Sequence, residues 1–335
     1  MSQPIRVGLI GHGLAGGEIH APLIEAAGDF RIVAVASSRD LSARKDQPRQ
    51  APSPEALIAA EDVDLVVVAS PNETHRPLAL AALAAGKHVL VDKPFALGVA
   101  EADEMIAAAK AADRLLVPFH NRRADGDFLA VKEVLASGEL GEVLLFEARW
   151  DRFRPDAPQA WRNSDAAGAG ILWDLGPHLI DQALQLFGGP ESFTADIAAQ
   201  RAGALADDYF ELTLKYGHMR CILSSASVVA APRPRFAVHG TKGSFIVHGI
   251  DPFESGLRSG KRPETSEFDA SLPPIPATRV TPAGREMLEL RPGSWVPFYR
   301  QVAAALRGQA PPPVRAEEAR EVTGIIEQAF ARSAS

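Results

Sequence analysis

The chain has 335 residues, 46% of them hydrophobic and 23% charged, a balance that suits a soluble globular protein with room for two domains. A formal net charge of −7 without any basic block argues against a nucleic-acid partner. No apolar run reaches the roughly 18 residues of a membrane span, and Met1–Pro4 lead into a strand without a signal-peptide pattern, so a cytoplasmic protein with no membrane contact is expected.

Strands and helices alternate through the first third. Ile5–Ile10 reads as a buried strand, Leu14–Ala27 as a helix and Arg31–Ala36 as a second strand. A short helix over Pro54–Ala60 precedes Asp64–Ala69, a continuous apolar run of the kind a central parallel strand shows. Pro77–Ala85 is a helix stopped by Gly86, His88–Val91 a strand, Val99–Ala112 a helix and Leu115–Phe119 a strand. Such alternation predicts a doubly wound parallel sheet, a dinucleotide-binding domain over residues 1–120.

The pattern then changes. Asp127–Ser137 is a helix closed by Gly138, and strands follow at Glu142–Asp151, Ser192–Gln200, Tyr209–Tyr216, Met219–Val228, Phe236–Gly240 and Ser244–His248. Several alternate apolar with polar residues, which predicts an α/β domain over 121–335 with a large, open, mainly antiparallel sheet. Cys221, the one cysteine, sits in such a run and is expected to be inert core; no intrachain disulfide can form. Asp251–Gly293, rich in Pro, Gly and charge, reads as a surface excursion. Trp295–Arg307 and Arg315–Ala331 are closing helices joined by the stiff Pro311–Pro313 run. An open sheet face that needs a partner predicts a homodimer or homotetramer.

Three places carry chemistry. The first is the loop Gly11-His12-Gly13-Leu14-Ala15-Gly16, which follows a strand and opens a helix. In that context Gly11 permits a tight turn, Gly13 lets a pyrophosphate approach the backbone, and Gly16 allows close helix–strand packing. The second strand ends in Ser37-Ser38-Arg39 with no carboxylate at its tip, and Asp40 lies beyond. Two hydroxyls and a guanidinium suit the 2′-phosphate of NADP better than the bare ribose of NAD.

The second place is the tip of the next strands. Ser70, Pro71, Asn72 and His75 follow strand four, and Asp92-Lys93-Pro94-Phe95 follow strand five, where a cofactor and substrate would meet. Asn121 follows strand six and is expected near the nicotinamide; Trp161 and Arg162 are expected to cover the cofactor. The third place is Gly168–Asp181, where Asp174 and His178 stand one helical turn apart on one face. By themselves they fit half a metal site, a surface ion pair or an acid/base device. His75, His88, His120, His218, His239 and His248 are scattered without ligand spacing, so no metal is expected.

These elements, taken in order, resemble the glucose-fructose oxidoreductase, inositol dehydrogenase and MocA (Gfo/Idh/MocA) family: the Gly11–Gly16 loop, Ala69–His75, Asp92-Lys93-Pro94 and Gly170–His178, spread over essentially the whole chain. The family places Glu where this chain has Asp92, a shorter acid. The resemblance implies a Rossmann domain, an open-sheet second domain, and hydride transfer between NAD(P) and a hydroxyl carbon of a sugar or cyclitol. It further implies that Lys93, Asp174 and His178 are the catalytic residues. Phe119–Arg123, Trp161-Arg162 and Asp251–Glu254 resemble a branch that includes NADP-dependent scyllo-inositol dehydrogenases. The competing readings are a non-catalytic dinucleotide sensor and a reductase of another substrate class on the same fold.

Overall fold

The computed structural model describes residues 3–41, 46–157, 163–164 and 166–333. The chain divides into two compact units: 1–121 with 253–272 and 294–323, and 122–252 with 273–293 and 324–335. The change of pattern after residue 120 alone suggests instead a continuous second domain over 121–335, with 253–272 and 294–323 inside it.

In the first unit, β1 (Ile5–Ile10), β2 (Phe30–Ala36), β3 (Arg49–Ala51), β4 (Leu65–Val68), β5 (His88–Val91) and β6 (Leu116–Pro118) form a parallel sheet in the order β3-β2-β1-β4-β5-β6. This is the doubly wound dinucleotide-binding order, and its reversal falls between β1 and β4. Every residue of β4 is buried, which explains why its sequence shows no alternation. The strands are linked by α1 (Ala21–Ala27), α2 (Pro54–Ile58), α3 (His75–Ala84) and α4 (Val99–Ala112). The helix expected from Leu14 opens instead as a π-helical turn, Leu14–His20, which runs into α1.

Aromatic side chains explain why later segments join this unit. α9 (Val296–Leu306) brings Phe298 to 5.0 Å from Phe119 and Tyr299 to 5.7 Å from Phe30, ring centre to ring centre. α7 (Phe253–Arg258) brings Phe253 to 5.2 Å from Trp295, which is fully buried.

In the second unit, β7 (Val143–Arg149), β8 (Ser192–Ala198), β9 (Tyr209–Tyr216), β10 (Met219–Ala226), β11 (Phe236–Gly240), β12 (Ser244–Val247), β13 (Ile275–Thr281) and β14 (Gly284–Leu290) form one sheet. The order is β14-β13-β12-β11-β7-β10-β9-β8, antiparallel except where β7 and β10 run parallel. α5 (Gly126–Ser137) and α6 (Ile171–Phe187) belong to this unit, and α6 packs on β9 and β10. Its side of β9 is Phe210, Leu212 and Leu214, all buried; the other side is Tyr209, Glu211, Thr213 and Lys215, half-buried and largely polar. The open face is therefore less apolar than its sequence suggested.

Asp251–Gly293 is not the surface excursion its composition predicts. It holds α7, α8 (Ser266–Ser271), β13 and β14. Asp251 Oδ2 accepts both the Gly126 and the Gly293 amide N–H at 2.6 Å, which ties the segment's two ends to the start of α5. β14 is an exposed edge guarded by Arg285, Glu286 and Glu289, so its strand pattern is hidden by the charges that keep an edge from pairing. α10 (Ala316–Ser333) closes the chain, and no helix among the described residues is long and apolar enough to cross a membrane.

Candidate active site

The glycine loop sits at the reversal point of the first sheet. Gly11 N–H donates to Ala36 O at 2.9 Å and Ala69 N–H to Ile10 O at 2.8 Å, so the tips of β1, β2 and β4 are held together. Gly11 has φ +91°, and a Cβ there would lie 2.4 Å from Ala69 O. A Cβ on Gly16 would lie 2.0 Å from Gly11 O, so this position too requires glycine. Above Gly13 the space is open: the nearest atom to a Cβ there would be Arg39 Nη2, at 3.9 Å. No side chain caps the helix that starts at Leu14. An open cradle of backbone at a helix start, overlooked by a guanidinium, fits a dinucleotide's phosphates. His12 lies in this loop, and Leu14, Ala15 and Gly16 form the first helical turn.

Ser37, Ser38 and Arg39 follow β2 directly. Ser37 Oγ accepts the Arg39 N–H at 3.0 Å, and Gln50 Nε2 donates to Ser37 O at 3.1 Å and Arg39 O at 3.4 Å. Gln50, from β3, a strand too short to show a sequence period, therefore braces this loop. Ser70 and Pro71 follow β4, with Ser70 Oγ 2.6 Å from Thr74 Oγ1, and Asn72 begins a single 3-10 turn. His75 is buried at the start of α3; its Nδ1 lies 2.8 Å from Pro94 O and its Nε2 3.0 Å from Ser70 O. Its ring therefore meets main-chain carbonyls on both sides and ties the β4 tip to the β5 tip.

Asp92 and Lys93 follow β5, and the Lys93–Pro94 peptide is cis. Asp92 Oδ1 accepts the Lys93 N–H at 2.8 Å and lies 3.7 Å from His20 Nε2. Burial, the largest influence, pushes the Asp92 carboxyl up, but the neighbouring His20 imidazole, together with Lys93 and His75, holds it below the usual carboxylate range. Asn121, nearly fully buried, opens the turn after β6. Trp161 and Arg162 lie outside the described residues.

The other chemical groups belong to the second unit. α6 carries Asp174 and His178 at i and i+4, so both stand on one helix face. Arg152, just past β7, donates to Asp174 Oδ2 from Nη1 at 3.3 Å, an ion pair between residues 22 positions apart that no local sequence pattern marks. His178 is 5% exposed, with the Trp150 ring centre 6.1 Å from its own. Trp150 is buried and lies under two guanidinium groups, Arg122 at 4.2 Å and Arg235 at 5.0 Å. Behind them, Arg235 donates to Gln182 Oε1 at 2.7 Å and stands 3.5 Å from Asp127.

The start of α6 is built by Asp207. Its carbonyl accepts the Ile171 N–H at 2.9 Å and its Oδ2 accepts the Leu172 N–H at 2.7 Å. A Cβ on Gly170, where φ is +95°, would lie 1.9 Å from Asp207 Oδ1, so only glycine admits this cap. A cavity of about 410 Å³ beside that turn is lined by Trp173, Asp207 and Phe330 among others; neither Asp174 nor His178 lines it. Among the described residues no three His, Cys, Asp or Glu side chains gather as a metal cluster.

Comparison with known proteins agrees with this geometry. Residues 5–120 match the oxidoreductase family with an NAD-binding Rossmann fold, and residues 128–246 match the GFO/IDH/MocA C-terminal domain. The chain is 43% identical to the uncharacterized oxidoreductase YdgJ of Escherichia coli (strain K12), over 98% of this chain and 96% of the relative. It is 37% identical to scyllo-inositol 2-dehydrogenase (NADP(+)) IolW of Bacillus subtilis (strain 168), over 98% of this chain and 94% of that enzyme. A crystal structure from Klebsiella pneumoniae superposes with a TM-score of 0.92 at 40% identity, covering 100% of this chain and 94% of that one. Its two matched domains, its parallel dinucleotide-binding sheet and its full-length relatives make the chain a member of the Gfo/Idh/MocA family, an NAD(P)-binding dehydrogenase.

Proposed function

We propose that this dehydrogenase prefers NADP and reversibly oxidises a secondary hydroxyl of a cyclitol or sugar, with scyllo-inositol the first candidate. The observation that carries the cofactor choice is the β2 tip. Arg39 reaches over Gly13 there, Ser37 and Ser38 stand beside it, and no carboxylate occupies the tip. A planar cationic fork suits a phosphate dianion, whereas an acid would repel it. The substrate choice is supported by likeness to the Bacillus subtilis enzyme along nearly the whole chain.

The pyrophosphate is assigned to Gly11, His12, Gly13, Leu14, Ala15 and Gly16. Ser70, Pro71, Asn72, Asp92 and Asn121 are assigned to the ribose and nicotinamide portions, with Trp161 and Arg162 as cover and His75 as a brace. Bound NADP supplies the hydride acceptor. His178 takes the hydroxyl proton during oxidation and returns it during reduction. Asp174, held by Arg152, orients His178 or the substrate. Lys93 donates a hydrogen bond to the substrate oxygen as negative charge builds there.

The test is oxidation of scyllo-inositol, myo-inositol and aldoses with NADP⁺ and with NAD⁺. Turnover with NADP⁺ should exceed that with NAD⁺, and Lys93→Ala and His178→Ala should each lower it about 100-fold or more. Full activity in both variants would refute these assignments. Light scattering on the same samples tests the homodimer or homotetramer proposed to form through the open sheet.

A further inference from the structure

We infer that Tyr299, His20 and His75 are positioning residues for Lys93, holding the Asp92-Lys93-Pro94 turn from two sides. The inference rests on the reading of Lys93 as a catalytic residue. All six residues belong to the first unit. On one side, Tyr299 Oη lies 2.7 Å from His20 Nδ1, and His20 Nε2 faces Asp92 Oδ1 at 3.7 Å. The same Asp92 oxygen accepts the Lys93 main-chain N–H at 2.8 Å. On the other, the His75 ring is wedged between Pro94 O, 2.8 Å from its Nδ1, and Ser70 O, 3.0 Å from its Nε2. The main chain of Lys93 is thus fixed before and after its Cα.

The chemistry of His20 gives the chain of contacts a direction. Were Nε2 unprotonated, its lone pair would face a carboxylate oxygen, so Nε2 carries a proton. In the neutral ring Nδ1 is then an acceptor, and the Tyr299 hydroxyl is its donor. At 3.7 Å the Nε2–Asp92 contact is electrostatic rather than a hydrogen bond, and the full burial of His20 and Tyr299 keeps water from screening it. The Phe119 ring, 4.3 Å from His20, holds the imidazole plane. A buried phenol serving only as packing would be better replaced by phenylalanine, since an unbonded hydroxyl costs free energy in a dry site. Here the hydroxyl selects the tautomer that faces Asp92, and through Asp92 it steadies the residue that bears the ammonium group.

The experiment uses the full chain with Tyr299→Phe, His20→Leu, His20→Gln, His75→Leu and, separately, Lys93→Ala. Three quantities are read: hydrogen exchange of the fragment containing the Lys93 amide, NADPH affinity with its binding stoichiometry, and kcat and KM for NADP⁺-linked oxidation of scyllo-inositol per NADPH-binding site. Tyr299→Phe, His20→Leu and His75→Leu should speed exchange of that fragment about tenfold while a β1 fragment is unchanged. They should lower kcat per site about tenfold, with KM and the NADPH Kd within about twofold of the parent. His20→Gln, which keeps a donor toward Asp92, should recover most of the loss. Unchanged exchange or unchanged kcat per site in Tyr299→Phe, a variant lacking one oxygen atom and so expected to fold, overturns the inference. So does glutamine performing no better than leucine at position 20. Full turnover in Lys93→Ala would instead remove the catalytic reading of Lys93 on which the inference depends, and the exchange result would still report whether the turn is held as described.

Discussion

Replacing Asp207 by asparagine should change how the protein's stability depends on pH. Burial, outweighing the hydrogen bonds from Leu172 and Ile171, raises the Asp207 carboxyl from its ordinary value of 3.8 to about 6. A raised folded-state pKa means that the native protein keeps a proton the unfolded chain has released. Stability therefore falls as pH rises between 3.8 and about 6, and the loss is complete above that window. The gap corresponds to about 3 kcal/mol, an upper bound because the side chain retains some contact with water. Asparagine keeps an oxygen to accept the Leu172 N–H and carries no charge to desolvate. Relative to the parent, Asp207→Asn should gain about 1–3 kcal/mol between pH 4 and pH 7. At roughly 2–4 °C per kcal/mol for a domain of this size, paired melting curves at constant ionic strength would resolve the change. Parallel curves across that range, or a variant that loses ground as pH rises, would refute the account of the α6 cap.

Arg39→Ala should weaken NADPH binding about 10- to 100-fold and leave NADH binding nearly unchanged, read by fluorescence titration; an equal loss for both would remove the 2′-phosphate assignment. Gly16→Ala would drive a Cβ to 2.0 Å from Gly11 O, so dinucleotide affinity should fall at least about 100-fold while circular dichroism shows the fold retained. Arg235→Leu strips the guanidinium from buried Asp127, whose carboxyl burial already pushes up, and should cost about 3–5 kcal/mol in denaturant unfolding; adding Asp127→Leu should restore much of it. Cys221 is fully buried and its thiol is pushed well up by that burial, so it should resist alkylation in the native protein and react once unfolded.

Much of the first unit was legible because its signals are local. A buried strand such as Leu65–Val68 announces itself as an unbroken apolar run, and the loop Gly11–Gly16 is readable from its place between a strand and a helix. β3 was not legible, since three residues with two exposed carry no period. The β13–β14 hairpin was hidden for a different reason. Its outer strand must be charged to protect an edge, and Pro273, Pro274 and Pro276 crowd its entry, so the segment has the composition of a loop while making seven paired positions. Composition reports exposure here rather than secondary structure.

The candidate site divides along the same line, and the division has a physical cause. Lys93, Asp174 and His178 could be singled out because short-range context, a strand tip or a shared helix face, narrows what each can do. His20, Tyr299, Arg152 and Asp207 could not, because their parts depend on partners distant in sequence; His20 and Tyr299 are 279 positions apart. A sequence states which groups can titrate or donate, but not how much water surrounds them. Asp92 and Asp207 carry the same carboxyl, yet polar and charged neighbours hold one below its ordinary range while burial drives the other up. The difference arises from whether a counter-charge is folded in beside the acid, which makes it a property of tertiary contacts. Substitutions at His20 and Asp207 therefore test the fold's contribution to the site, whereas substitutions at Lys93 and His178 test only the groups themselves.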